Sequence, residues 1–438
     1  MASPIVVIVG GGFGGVAAAK VLKNAPAEIV LIDRENHNLF QPLLYQVATS
    51  VLSPGQIGVP IRDLLRHHKN TTVILAEVVG VDKDRKQVLV CDADRRDVPI
   101  PFDYLILATG VTHSYFGHDE FEKFAPGLKN LADAEAVRNK ILTAFELAEA
   151  EEDPSTHQDL LTFILVGAGP TGVEMAGAIA VMVRGTMKSE FRRIDPASAR
   201  IVLVDRSSRV LASFSEKLSA AAKKRLENLG VEVKLGQNVD QIDADGIVVA
   251  GERIFSKTVI WTAGVAPSPA GKWLAAETDH AGRVRIQSDL SVAGHPEIFV
   301  VGDTASLDRD GKPLPGVAQV AIQQGHYAGK LIHRRLTGKS APGPFSYFDK
   351  GNLAVVGKGF AVLESGKVHS SGLIAWFAWA AVHLQFLADS SLRLGVFLQW
   401  VWTYLSGRRG ARLIVNPRVS EAQKAVPNTT VKAAASSG

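Results

Sequence analysis

Two stretches of the chain carry the same glycine spacing: Gly10, Gly12 and Gly15, then Gly167, Gly169 and Gly172. Each follows a short apolar run (IVVIV at 5–9, FILV at 163–166) and opens a stretch of helical character. In a strand, glycine loop, helix unit of this form, the first glycine makes the tight turn. The second lets the backbone approach a pyrophosphate, and the third packs helix on strand. The phosphates then lie at a helix N-terminus, where free N–H groups and the dipole favour negative charge. A chain with two such units has to build two parallel α/β sheets, each with a nucleotide site at the ends of its strands.

The repeat extends past the loops. Strand-like residues 28–32 end at Asp33, near the ~20-residue spacing at which an acid binds a ribose hydroxyl. Residues 200–204 end at Asp205 in the same way, but later, so the helix between is longer or carries an insertion around 184–196. Arg206 follows directly and could hold a 2′-phosphate. LILATG (105–110) and WTAG (261–264) are matching exits, and IFVVGD (298–303) adds a strand ending in Gly-Asp. One position breaks the symmetry: Glu174 stands where the first unit has Ala17. Thr171 and Glu174 fit a capping box at a helix start. The other reading has Glu174 reaching toward the nucleotide.

Composition narrows the function classes. A net charge of +4 with no basic, aromatic-rich block argues against nucleic acid. A single cysteine, Cys91, excludes an internal disulfide, a redox-active pair and a multi-thiolate metal site, and no metal is expected. The start, MASPIVVIVGGG, lacks a basic n-region and runs into the first glycine loop, which points to a reducing compartment.

The apolar runs at 373–384 and 392–405 fall short of the ~20 residues of a spanning helix. Trp376, Trp379, His383 and Phe386 recur at helical spacing, as do Val396, Trp400 and Tyr404, and Arg408, Arg409 and Arg412 follow. That pattern suits amphipathic helices lying in a membrane interface; a dimer interface or ordinary core is the alternative. The composition of 417–438 predicts a disordered tail.

HNLFQPLLYQVATSVLSPGQI (37–57), GPTGVEMAG (169–177), WTAGV, VGD and AQVAIQQG (318–325) together resemble the type II NADH:quinone oxidoreductases, over residues 5–416. These are single-subunit, non-pumping members of the two-dinucleotide-fold flavoprotein reductases. The resemblance implies an α/β protein with two Rossmann-like domains and a C-terminal amphipathic helical membrane anchor. FAD would bind at 1–113 and 281–345, NADH at 114–280. Residues 346–416 would hold a small sheet and the helices.

By the same resemblance, Gly10, Gly12 and Gly15 cradle the FAD pyrophosphate and Asp33 its ribose. Thr109 and Gly110 pass near the flavin, and Asp303 bonds the ribityl chain. Gly167, Gly169, Gly172, Asp205 and Gly264 belong to the NADH site. Glu174 would act at the nicotinamide–flavin contact. Gln319 and Gln323, four apart on one helix face, would wall a quinone; as plain helix residues, they would bond nearby backbone. Lys350 is a lesser candidate whose ordinary role is a solvated turn.

The resemblance further implies a peripheral homodimer on the cytoplasmic face of the cell membrane. The alternatives are a soluble reductase serving a ferredoxin-like protein, which would not need the aromatic helices, and a non-enzymatic flavoprotein whose reduction alters its contacts.

Overall fold

The two glycine repeats build two sheets with the same internal strand order. In the computed structural model, which describes residues 3–91, 97–309 and 311–415, strand Ile5–Val9 lies between Glu28–Asp33 and Tyr104–Leu107, parallel to both. Thr71–Leu75 extends that sheet beyond Glu28–Asp33. In the second sheet Thr162–Val166 lies between Arg200–Asp205 and Thr258–Trp261, with Val231–Leu235 outermost, all parallel. Every residue of Thr162–Val166 is buried, as expected of a parallel strand covered by helices on both faces.

The first sheet is completed from far along the chain. His295–Val300 pairs with Tyr104–Leu107, and Ser291–Val292 forms an antiparallel edge. The chain therefore leaves the first sheet, builds the second and returns. The outgoing and returning segments, Val111–His113 and Val265–Pro267, pair as an antiparallel ribbon. The later arrival of Asp205 comes from a longer helix and an insertion together. Helix Pro170–Val181 gives way to a π-helical turn at Met182–Thr186, followed by loop and the short turn Pro196–Ser198.

Helix Ala318–Leu336 crosses the first-loop helix Phe13–Val21 at close range. A Cβ on Gly325 would stand 2.0 Å from the Gly14 carbonyl oxygen, so the last glycine of AQVAIQQG permits the crossing. Strands Asn352–Val355, Ala361–Ser365 and Val368–Gly372 form a small antiparallel sheet beside helix Pro170–Val181. That sheet leads into two helices, Leu373–Phe386 and Ser390–Ser406.

The aromatic row expected to face a membrane faces the protein for the most part. Trp379 is 3% exposed and lies tilted against Trp400 with ring centres 5.2 Å apart, and His383 packs edge-on against Phe40. The Trp400 indole N–H bonds Gln46, which holds that row inward. The outward face is a different set, with Ile374 79%, Phe377 60%, Trp402 58% and Leu405 81% exposed. Among the described residues no helix is long and apolar enough to cross a membrane. The tail at 417–438 lies outside the described residues.

Candidate active site

The glycine loops repeat down to single hydrogen bonds. Gly10 and Gly167 have φ of +103° and +112°, the left-handed region open to glycine. Their N–H groups donate to Ile32 O and Val204 O, both at 2.8 Å. A Cβ on Gly15 would lie 1.7 Å from Gly10 O, and one on Gly172 1.8 Å from Gly167 O. At Gly12 and Gly169 an added Cβ meets nothing within 4 Å. These two glycines are the helix N-caps and carry no capping side chain. Each helix therefore presents uncapped N–H groups beside open space, the arrangement that receives a phosphate.

The acids belong to the same cradles. Asp33 accepts the Gly11 N–H at 2.5 Å and the Glu35 N–H at 2.7 Å. Asp205 accepts the Ala168 N–H and the Ser207 N–H, both at 2.6 Å. Each carboxylate fixes the second loop residue with one oxygen and the chain beyond the strand with the other. Carboxylate oxygens have further lone pairs, so both can still accept a ribose hydroxyl.

A cavity of 530 Å³ lies where the two units meet. Gly10, Gly12, Asp33, Thr109, Gly110 and Asp303 all line it. Thr109 Oγ1 lies 2.5 Å from Ser268 Oγ, and Thr304 Oγ1 donates to Gly110 O at 2.7 Å, which fixes the strand exit. From the second glycine loop and its helix only Thr171 and Glu174 reach the cavity. Gly167, Gly169, Gly172 and Asp205 lie outside this lining. Gly264 does too: it sits under Phe116, whose ring is covered by the Arg206 guanidinium at 5.1 Å.

Burial perturbs the carboxyl groups of Glu174 and Asp303 and the amine of Lys129, all of which line the cavity. Glu174 is buried, with one hydrogen bond, from the Val355 N–H at 3.3 Å. Desolvation pushes its pKa up to about 8, and the Val355 N–H only partly opposes that. Its carboxyl is therefore neutral below about pH 8. Burial raises the Asp303 pKa against the pull of Lys129 and Arg283. It lowers the Lys129 pKa against Asp303 and Asp133.

The capping box expected at Thr171 and Glu174 is not formed. The helix starts two residues earlier, at Pro170 with Gly169 as N-cap, so Glu174 falls past the first turn. Gln319 and Gln323 share a face as expected, but it is turned to the chain at 348–351. Gln319 Nε2 donates to Gly351 O at 3.0 Å and Gln323 Nε2 to Phe348 O at 2.9 Å. The Phe348 N–H returns a bond to Gln323 Oε1. Neither amide lines the cavity. Lys350 places its ammonium 5.1 Å from the centre of the Phe386 ring.

Three residues escaped the sequence reading. Lys129 and Tyr45 line the cavity. Gln324, buried, accepts the Gly302 N–H at 2.7 Å beside Asp303. A signal for Gln324 existed, because it lies on the same helical stripe as Val320, Ala321, Ala328 and Leu331, and a glutamine on such a stripe needs a bonded partner.

A family model described as pyridine nucleotide-disulphide oxidoreductase matches residues 4–325. The type II NADH:quinone oxidoreductase Ndh of Mycobacterium tuberculosis is 45% identical over 94% of this chain and 90% of its own length. The chain belongs to the type II NADH:quinone oxidoreductases. NdhA of the same organism, another such oxidoreductase, is 42% identical over the same shares. Among solved structures, NDH2 of Plasmodium falciparum in complex with NADH aligns with a TM-score of 0.84, covering 93% of this chain and 99% of that one at 20% identity. The broad family name refers to disulfide chemistry, which the single Cys91 cannot provide within this chain.

Proposed function

We propose that this protein oxidises NADH and passes the electrons through FAD to a quinone, without moving protons across a membrane. The observation that carries this reading is the entry of the second unit's helix into the first unit's cavity, through Thr171 and Glu174. Two phosphate cradles so placed hold two nucleotides with their reactive ends converging. Gly10, Gly12 and Asp33 would hold the FAD pyrophosphate and ribose, with Thr109, Gly110, Asp303 and Lys129 along the rest of the molecule. Gly167, Gly169 and Asp205 would hold NADH, with Gly264 and Phe116 beside it. When bound, FAD supplies acceptance of hydride and release of two electrons. The protein's own part is to align the nucleotides, exclude water and supply protons. Glu174, neutral below about pH 8, is the proton store of the cavity. Gln319 and Gln323 act one step away, by fixing the backbone at 348–351. We assign 1–113 and 281–345 to the FAD unit and 114–280 to the NADH unit.

Anaerobic NADH should bleach the flavin of the purified holoprotein, and a short-chain quinone should restore its colour within a turnover. Failure of quinone to restore the colour, with an iron–sulfur protein succeeding, would overturn the reading.

We further propose that the exposed face of the C-terminal helices rests on the membrane surface that supplies the quinone. Ile374, Phe377, Leu398, Trp402 and Leu405 are exposed apolar residues on a helix pair whose other side, with Trp379 and Val396, packs against the protein, and such a patch marks a contact surface. Ile374→Asp with Leu405→Asp should abolish cosedimentation with anionic vesicles while the flavin remains bound. Undiminished cosedimentation would contradict the membrane contact.

A further inference from the structure

A chain of side-chain hydrogen bonds runs from the C-terminal helices to the cavity, and chemistry fixes its direction. Trp400 Nε1–H can only donate, and it gives its hydrogen to Gln46 Oε1 at 2.8 Å. That sets the orientation of the Gln46 amide. Its Nε2 lies 2.9 Å from Tyr45 Oη and donates to it. Tyr45 Oη is thus the acceptor in this contact, and the phenol's own hydrogen is left for another partner. Among the described residues none accepts it. Tyr45 is 5% exposed and lines the cavity together with Glu174. A buried hydroxyl hydrogen without an acceptor is unfavourable, and a ligand oxygen in the cavity would satisfy it.

We propose that Tyr45 donates a hydrogen bond to the bound quinone and delivers that hydrogen to a quinone oxygen as the quinol forms. The proposal rests on the quinone reading above. The hydride of NADH accounts for both electrons and one of the two protons of the quinol, so one proton has to come through the protein. In that step the Tyr45 O–H bond breaks and an O–H bond forms on the quinone oxygen. The phenolate then takes the proton of the neutral Glu174 carboxyl, and solvent at the cavity mouth reprotonates the carboxylate.

The surroundings suit this role. Burial, and next the charge of Glu174, hold the Tyr45 pKa well above its usual value; the Gln46 amide and Arg409 act in the opposite sense. The phenol therefore keeps its hydrogen until a basic quinone oxygen takes it. Gln46 and Trp400 are positioning residues. Without the indole N–H the amide is free to turn over, and Gln46 Oε1 would then capture the phenol hydrogen and withdraw it from the cavity.

The test compares two acceptors on the NADH-reduced holoprotein, a short-chain quinone and hexacyanoferrate(III), which takes electrons without protons. Tyr45→Phe should slow reoxidation by quinone by about a hundredfold or more, the lower end of a general-acid contribution. It should leave flavin content and the hexacyanoferrate rate as in the wild type. Trp400→Phe, which keeps the phenol, should slow the quinone step by a smaller factor and again spare hexacyanoferrate. Quinone reoxidation of Tyr45→Phe at the wild-type rate would overturn the proposal alone. So would equal slowing with both acceptors, which marks lost packing. Wild-type protein that quinone does not reoxidise would overturn the quinone reading and this proposal with it.

Discussion

The two nucleotide units match in backbone and part company at one side chain. Their first glycines share a left-handed φ, a Cβ added to their third glycines would fall 1.7 and 1.8 Å from the equivalent carbonyl oxygen, and their acids grip the same loop position. All of this is main-chain geometry, which recurs wherever a pyrophosphate has to sit on a helix N-terminus. At the position of Ala17 in the first unit, the second carries Glu174, and there the neighbourhoods differ as well. The first helix is crossed by Ala318–Leu336, whereas the second lies under the small sheet that gives Glu174 its hydrogen bond from Val355. The phosphate cradle is duplicated in this protein; the buried carboxyl of Glu174 belongs to the second unit alone.

Breaking the matched part should expose the division of labour most strongly. Gly15→Ala drives a Cβ into Gly10 O and should give protein without flavin absorbance. Gly172→Ala makes the same collision in the other unit and should keep the flavin yet prevent its bleaching by NADH. Flavin loss in both, or in neither, would contradict the assignment of one nucleotide to each unit.

The acids should give a milder version of the same contrast. Asp205→Ala removes two backbone hydrogen bonds and a ribose partner, at a cost of about 1–3 kcal/mol. That should raise the NADH dissociation constant roughly tenfold or more with flavin content unchanged. Asp33→Ala should instead weaken flavin retention through dialysis and leave NADH affinity alone. Titration of both variants with NADH would settle which unit each acid serves.

The smallest effects belong to the helix that covers the first unit. Gln323→Ala loses its bonds to Phe348 and should lower stability by about 1 kcal/mol, read as a reduced melting temperature. Quinone turnover in that variant should fall only modestly. A collapse of turnover with unchanged stability would make Gln323 a direct quinone contact.

Much of this was legible in the sequence because glycine spacing and apolar runs act locally. The loops, the acids, the strands of both sheets and a further strand near 298 follow from them, although not that this last strand returns to the first sheet. Other features depended on partners far along the chain. The burial of Glu174 is set by Val355 and the small sheet, so Thr171 and Glu174 looked like a cap. The direction of the Gln319 and Gln323 face depends on the chain at 348–351. The C-terminal helices were misassigned in orientation for a related reason. Residues 373–384 are apolar nearly all round, so periodicity gave no preference. Phe40 and Gln46, more than 300 residues earlier, decide which row turns inward.

The central claim is that Glu174 acts as a neutral acid where the two units meet, and the pH dependence of quinone reduction tests it most directly. The folded pKa is raised to about 8, so the proton-donating form is present below that pH and is lost as the pH rises through it. Stopped-flow reoxidation of NADH-reduced flavin by quinone should therefore be constant near neutrality and fall above about pH 8 in the wild type. In Glu174→Gln it should be slower by about a hundredfold and flat over the same range, with flavin content intact. Superimposable profiles for the two proteins would contradict the claim and leave Glu174 as a buried packing residue.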